Sequence, residues 1–192
     1  MDIAKRLVGI CAAGAAILIV ILSFGRKPPT SALVGGRAPA FVAIDPNGVA
    51  IHLRDMTASP LVLCFWLMHD GADGDKLVST LDTLARDAEE LPGLVVAAVN
   101  CDASSEEIAE FVKDKDLKCF VLHMGDDPER LQTIAQLYHL DDHGFPRFFF
   151  LEFRDDNIAA DLEGLHTAEE LRQAVLDANL LPWLTEAEAE GS

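Results

Sequence analysis

No two cysteines in this chain stand close enough in sequence to make a dithiol or a metal centre. Cys11, Cys64, Cys101 and Cys119 are widely separated, and no C-x-x-C pair occurs. Cys11 falls in an apolar run, which leaves an odd number of thiols in the remainder and argues against a disulfide framework. Buried cysteines acting as small hydrophobes are the default expectation. Basic residues are also scarce, with 15 Lys and Arg against 32 Asp and Glu, for a net charge of −17. Such a surface repels phosphate, so a nucleic-acid partner is excluded. The charge suits a basic protein partner, and it also serves plain solubility. No Ser/His/Asp arrangement, phosphate-cradling glycine loop or nucleotide fingerprint is present, so no cofactor is expected. Internal repeats are absent as well.

What the chain does have begins with an uncharged stretch from Leu7 to Phe24. At about 1.5 Å per residue a helix of this length reaches roughly 27 Å, enough to cross a bilayer core. Lys5 and Arg6 precede it, and Arg26, Lys27, Pro28 and Pro29 follow. The residues after Phe24 offer no small-residue cleavage site, and Ile10 before Cys11 is too large for a lipoprotein cleavage box. Residues 1–25 therefore read as an uncleaved signal anchor in the lipid bilayer. The N-terminus would be cytoplasmic and the rest would face the periplasm from a bacterial inner membrane. Residues 26–35 read as a tether, 36–180 as one folded domain and 181–192 as an acidic tail. The first 30 residues carry +3, which leaves −20 for the rest.

Within the domain, Asp45-Pro46-Asn47-Gly48 is a turn signal between two short strands, residues 41–44 and 49–53. Residues 61–66 and 94–99 are continuous apolar runs of buried-strand type. Between them Leu77, Leu81, Leu84 and Ala88 recur at helical spacing over 76–91, and Pro92-Gly93 ends that pattern. Ser104 or Ser105 caps a helix running to about Lys113. A short strand over 118–123 follows, and then Asp127-Pro128 opens a helix to Tyr138. Residues 147–153 and 158–162 form a closing hairpin turned by Asp155-Asp156-Asn157, and Thr167 with Glu170 makes a capping box before the last helix. The early strand–helix–strand units imply parallel neighbours, and the hairpins add antiparallel ones. The fold class is α/β, a mixed sheet with helices on both faces.

The run Phe65-Trp66-Leu67-Met68-His69-Asp70-Gly71-Ala72-Asp73 leaves a buried strand and enters a helix, where α/β proteins place their chemistry. This loop, Gly36-Arg37-Ala38-Pro39-Ala40-Phe41 at the entry, and Gly144-Phe145-Pro146 before Phe148 resemble the thioredoxin superfamily, specifically its membrane-anchored thioredoxin-like and redoxin members. Gly164 and the helix after Thr167 match the usual ending. The resemblance covers roughly residues 36–179 and implies a thioredoxin-like three-layer sandwich with a cis-proline loop at Pro146. It also implies that the two redox thiols would stand at Asp70 and Asp73. A carboxylate neither forms a disulfide nor acts as a soft nucleophile, so dithiol exchange and peroxide reduction do not carry over.

Trp66, His69, Asp70, Asp73, Phe145 and Pro146 are thus expected to form a vestigial loop serving as a contact edge. Trp66 and Phe148 to Phe150 read as core more than as a binding box. Phe145 reads as a loop residue free to make contacts. His69, Asp70, Asp73 and Asp75, facing Asp141, Asp142 and His143, have the chemistry of a hard-cation site, but a solvated acidic loop explains them better. The functional expectation is a non-enzymatic accessory or assembly subunit of an integral membrane protein complex, respiratory or photosynthetic electron transfer being the kind considered. The alternatives are an oxidoreductase using a lone thiol, Cys101 or Cys119, and a metal- or cytochrome-docking protein.

Overall fold

The computed structural model describes residues 32–69, 74–87, 91–125, 127–140, 144–153 and 155–181. The reversal at Asp45 is built as its side chain dictates: the carboxylate accepts the N–H groups of Asn47 at 2.9 Å and Val49 at 2.7 Å. Gly48 adopts φ +84° to close the turn. The flanking strands are β1 (Val42–Ile44) and β2 (Ala50–His52), paired antiparallel. The expected second strand ran to Leu53, but the chain instead coils there into a one-turn helix, α1 (Leu53–Met56). Asp55 closes a capping box onto His52 while Leu53 and Met56 turn inward, so burial of two apolar side chains ends the strand early.

The remaining elements follow the expected order. They are β3 (Leu61–Trp66), α2 (Gly74–Arg86), β4 (Val95–Asn100), α3 (Ser105–Val112), β5 (Phe120–His123), α4 (Pro128–Leu137), β6 (Arg147–Leu151), β7 (Ile158–Glu163) and α5 (Ala168–Asp177). The described part of α2 ends at Arg86, short of the expected Leu91, because the Asp87 N–H bonds back only three residues, to Leu84 O, and breaks the α-helical ladder. Ser104, Asp127 and Thr167 each accept a first-turn N–H through their side chains, so the three expected caps are present.

The sheet runs β2-β1-β5-β4-β3-β6-β7. β3 pairs parallel with β4, which pairs parallel with β5, while β1, β6 and β7 add antiparallel neighbours. β3 lies inside the sheet between β4 and β6, and all six of its residues are buried. Its side chains alternate between two cores. Val62, Cys64 and Trp66 face Leu77, Leu81 and Leu84 of α2, Ile108 of α3 and Leu171 and Val175 of α5. Leu61, Leu63 and Phe65 face Leu53 and Met56 of α1 and Ile134 of α4, with Tyr138 just beyond it. Among the described residues no helix is long and apolar enough to cross a membrane, and the stretch from Leu7 to Phe24 lies outside them.

Two polar ties fix the domain's margins. The Tyr138 hydroxyl donates to Pro39 O at 2.7 Å and so holds the entry segment against α4's end. Residues 35–38 are stitched to the start of β7, with Gly35 N–H to Ile158 O at 2.8 Å, Ile158 N–H to Gly36 O at 2.9 Å and Ala38 N–H to Asp156 O at 2.7 Å. Arg37 adds an ion pair to Asp156 at 3.0 Å.

Candidate functional site

β3 ends at Trp66, whose indole is fully buried and tilted against Phe111 of α3 at 5.6 Å between ring centres. Among the described residues its N–H has no hydrogen-bond partner. The first residue of α2, Gly74, packs so closely on this ring that a Cβ there would lie 2.6 Å from Trp66 Cζ3. Glycine at that place lets the helix start directly against the strand end.

The chain then turns through Leu67 and Met68 to His69, and a single carboxylate collects this turn. Asp102, just beyond β4, accepts the backbone N–H of Met68 at 2.6 Å and of His69 at 2.7 Å. Asp102 is itself positioned by Asn100, the buried last residue of β4. Asn100 Nδ2 donates to Asp102 Oδ1 at 3.0 Å, while Asn100 Oδ1 accepts the N–H groups of Asp102 at 3.0 Å and Ala103 at 2.6 Å. The His69 ring lies between two acids, with Nδ1 3.2 Å from Asp102 Oδ2 and Nε2 3.1 Å from Glu107 Oε1 on α3. The other Glu107 oxygen accepts from the Ser104 N–H and hydroxyl, both at 2.8 Å. Those bonds hold the Glu107 carboxyl below its ordinary range, with His69 adding to the effect.

Asp70 and Asp73, and likewise Asp141, Asp142 and His143, lie outside the described residues. Asp75 sits in the first turn of α2 and pairs with Lys115 at 2.7 Å. Among the described residues no group of three metal-ligating side chains converges.

Across the sheet edge, Phe145 and Pro146 are joined by the expected cis peptide. Phe145, expected as a free contact residue, is half-buried and packs on the core beneath α4, because that aromatic face extends up to the loop. Pro146 is buried, and its carbonyl accepts the Gly164 N–H at 2.9 Å. Gly144 N–H donates to Glu163 Oε1 at 3.0 Å. Next to Pro146, Arg147 is almost completely buried, paired with Asp161 across β7 and lying over the Phe149 ring at 5.4 Å. Its Nη1 stands 4.0 Å from Glu163 Oε2, and among the described residues neither Nε nor Nη1 makes a hydrogen bond.

The three cysteines of the domain are all buried: Cys64 is 0% exposed, and Cys101 and Cys119 are 5% each. Burial pushes the Cys64 thiol well above its ordinary value. Cys101 is pushed up to about 12 by burial and the adjacent Asp102. Cys119 is pushed up to about 12 by burial and by Asp82. The strand-end positions of Cys101 and Cys119, which suggested access, are covered: Cys101 packs in the core with Met124 and Ile134, and Cys119 lies against α2, its Sγ 4.0 Å from Val78 O. Cys101 contributes the floor of a cleft of about 320 Å³ whose sides include Asp102, Ser104, Glu107, Gly125 and Asp127.

Sequence reasoning missed Asn100, Asp102, Arg147 and Asp161. A polar Asn-x-Asp at the end of an apolar strand is a signal for such a side-chain turn. A cation opening the aromatic run of β6 is another, since it needs a buried partner.

No family model matches the chain, and no curated protein does. Solved structures do. A provisionally assigned thiol:disulfide interchange protein, DsbE, from Chlorobium tepidum is 24% identical over 74% of this chain and 94% of its own, with a TM-score of 0.59. The thioredoxin domain of a thiol-disulfide oxidoreductase from Bacteroides vulgatus is 18% identical over 76% and 99%, with a TM-score of 0.59. Arabidopsis thaliana ScoI, with copper bound, is 16% identical over 73% and 96%, with a TM-score of 0.60. The class this defines is the thioredoxin-like fold, with a mixed sheet of seven strands among the described residues.

Proposed function

We propose that this chain is a redox-inactive thioredoxin-like module, anchored in a bacterial inner membrane by the stretch from Leu7 to Phe24, with its domain at the periplasmic face. There it serves as an accessory or assembly subunit of a membrane protein complex, of the respiratory or photosynthetic electron-transfer kind. The observation that carries this reading is the burial of all three domain thiols, each with a raised pKa, in a fold whose solved neighbours include thiol:disulfide oxidoreductases. The two positions that resemble the redox thiols of that superfamily are Asp70 and Asp73 in this chain. The fold is kept while the nucleophile is not, and the −20 carried beyond the first 30 residues favours docking to a basic protein surface.

The neighbours themselves favour the second reading, thiol–disulfide or copper chemistry. Two measurements separate the readings. Purification of the full chain from native membranes in mild detergent should yield stoichiometric partner subunits, and a monodisperse free monomer would overturn the accessory role. Insulin reduction and thiol labelling of the native protein should both be silent. Turnover in the first would establish the oxidoreductase instead.

A further inference from the structure

We propose that His69 is a proton-operated latch joining the exit of β3 to the first turn of α3. Both ring nitrogens face carboxylate oxygens, at 3.2 Å to Asp102 and 3.1 Å to Glu107. Each acid is held independently of the ring. Asp102 is fixed by Asn100 and by the backbone of Met68 and His69, and Glu107 is fixed by its cap with Ser104. The ring therefore meets two oxygens already placed by other bonds, firmly at Asp102 and, at Glu107, only through the first-turn cap of α3.

A neutral imidazole has one N–H, and its other nitrogen presents a lone pair. Only the imidazolium donates to both oxygens, so the closed arrangement selects the protonated ring. Imidazole changes charge in the range of pH 5 to 8. When the proton leaves, one nitrogen faces an oxygen lone pair to lone pair, and the ring must leave one acid. The Asp102 side is held by two backbone bonds that do not titrate, so the Glu107 side is the one that opens. Asp102 faces the ring from the turn after β4 and Glu107 from α3; among the described residues no lysine or arginine pairs with either acid. Both acids also line the cleft above Cys101, so the latch sets the position of one wall of that cleft. The ring is 55% exposed, which makes the effect modest but leaves the device responsive to the surrounding medium.

The test is hydrogen exchange of the full chain in detergent, read by mass spectrometry over residues 104–108 and corrected for intrinsic exchange rate. In the wild type, exchange should rise about two- to five-fold from pH 5 to pH 8, the size expected of an exposed ion pair. In His69→Phe it should be fast at both pH values. In Glu107→Gln the dependence should reverse, fast at pH 5 and slow at pH 8, because the amide oxygen keeps the Ser104 cap and leaves the NH2, which donates only to the neutral ring's Nε2. A wild type with no pH dependence, or the same dependence persisting in both variants, overturns the proposal.

Discussion

Asp82 offers a demanding check on how the two layers of the domain are joined. It projects from α2 toward the segment that feeds β5, and its side chain is only 12% exposed. One oxygen accepts Arg86 Nε at 2.6 Å, while the other accepts the N–H groups of Lys118 and, at 3.3 Å, Cys119. Burial alone would raise its pKa, but the hydrogen bonds from Arg86, Lys118 and Cys119 outweigh burial and the net shift is downward from 3.8. Asp82→Ala removes three charge-assisted bonds at once. The Lys118 N–H and the Arg86 head recover water, whereas the Cys119 N–H is buried and does not. One unsatisfied buried donor plus the lost charged bonds comes to about 2–3 kcal/mol. For a chain of this size that is a fall of about 5–10 °C in Tm. Thermal unfolding of the full chain in mild detergent, followed by circular dichroism, measures it. The pH dependence has a definite sign. A carboxyl whose folded pKa is depressed stabilises fully above its unfolded value and loses that contribution as pH falls through the folded one. The gap between wild type and Asp82→Asn should therefore be widest at neutral pH and shrink below about pH 3.8. A Tm change under about 2 °C at pH 7, or a gap that widens in acid, refutes the argument.

Other outcomes follow from the same geometry. Arg147→Met removes the buried cation beside Asp161 and should cost about 3–5 kcal/mol, while Arg147→Met combined with Asp161→Leu should recover most of it in the same melt. Gly74→Ala drives a methyl into Trp66 and should destabilise by about 1–3 kcal/mol, with an altered tryptophan emission spectrum. A thiol reagent at pH 8 should label none of Cys64, Cys101 and Cys119 in the native protein and all three in urea, by mass spectrometry. Thr167→Ala removes a reciprocal cap with Glu170 and should cost about 1 kcal/mol.

The parts of this molecule legible in its sequence are those governed by neighbours along the chain. The turn at Asp45 closes within four residues, the Thr167 box within three, and the run from Leu61 to Trp66 needs only its own apolarity to be a buried strand. What escaped depends on residues brought together from afar. Asp102 reaches the backbone of Met68 across 34 positions, and nothing local to either residue announces it. Arg147 is tolerable in an aromatic strand only because the β6–β7 register sets Asp161 diagonally beside it. The short helix at Leu53 was missed because a histidine, not a usual cap residue, stands before it and the capping acid is Asp55. The packing of Phe145 is hidden for a similar reason, since the core it rests on belongs to other elements.

The stitching of residues 35–38 to the first residues of β7 has a mechanical consequence. A pull arriving along the chain from the N-terminal side meets, just past the packing of Leu33 and Val34 on the core, three backbone hydrogen bonds and the Arg37–Asp156 pair. Load is therefore delivered into the β6–β7 hairpin at the sheet's far margin, and the turn gathered by Asp102 lies off the force path. Strain from the N-terminal side would have to strip that edge before it could disturb the Trp66–His69 corner.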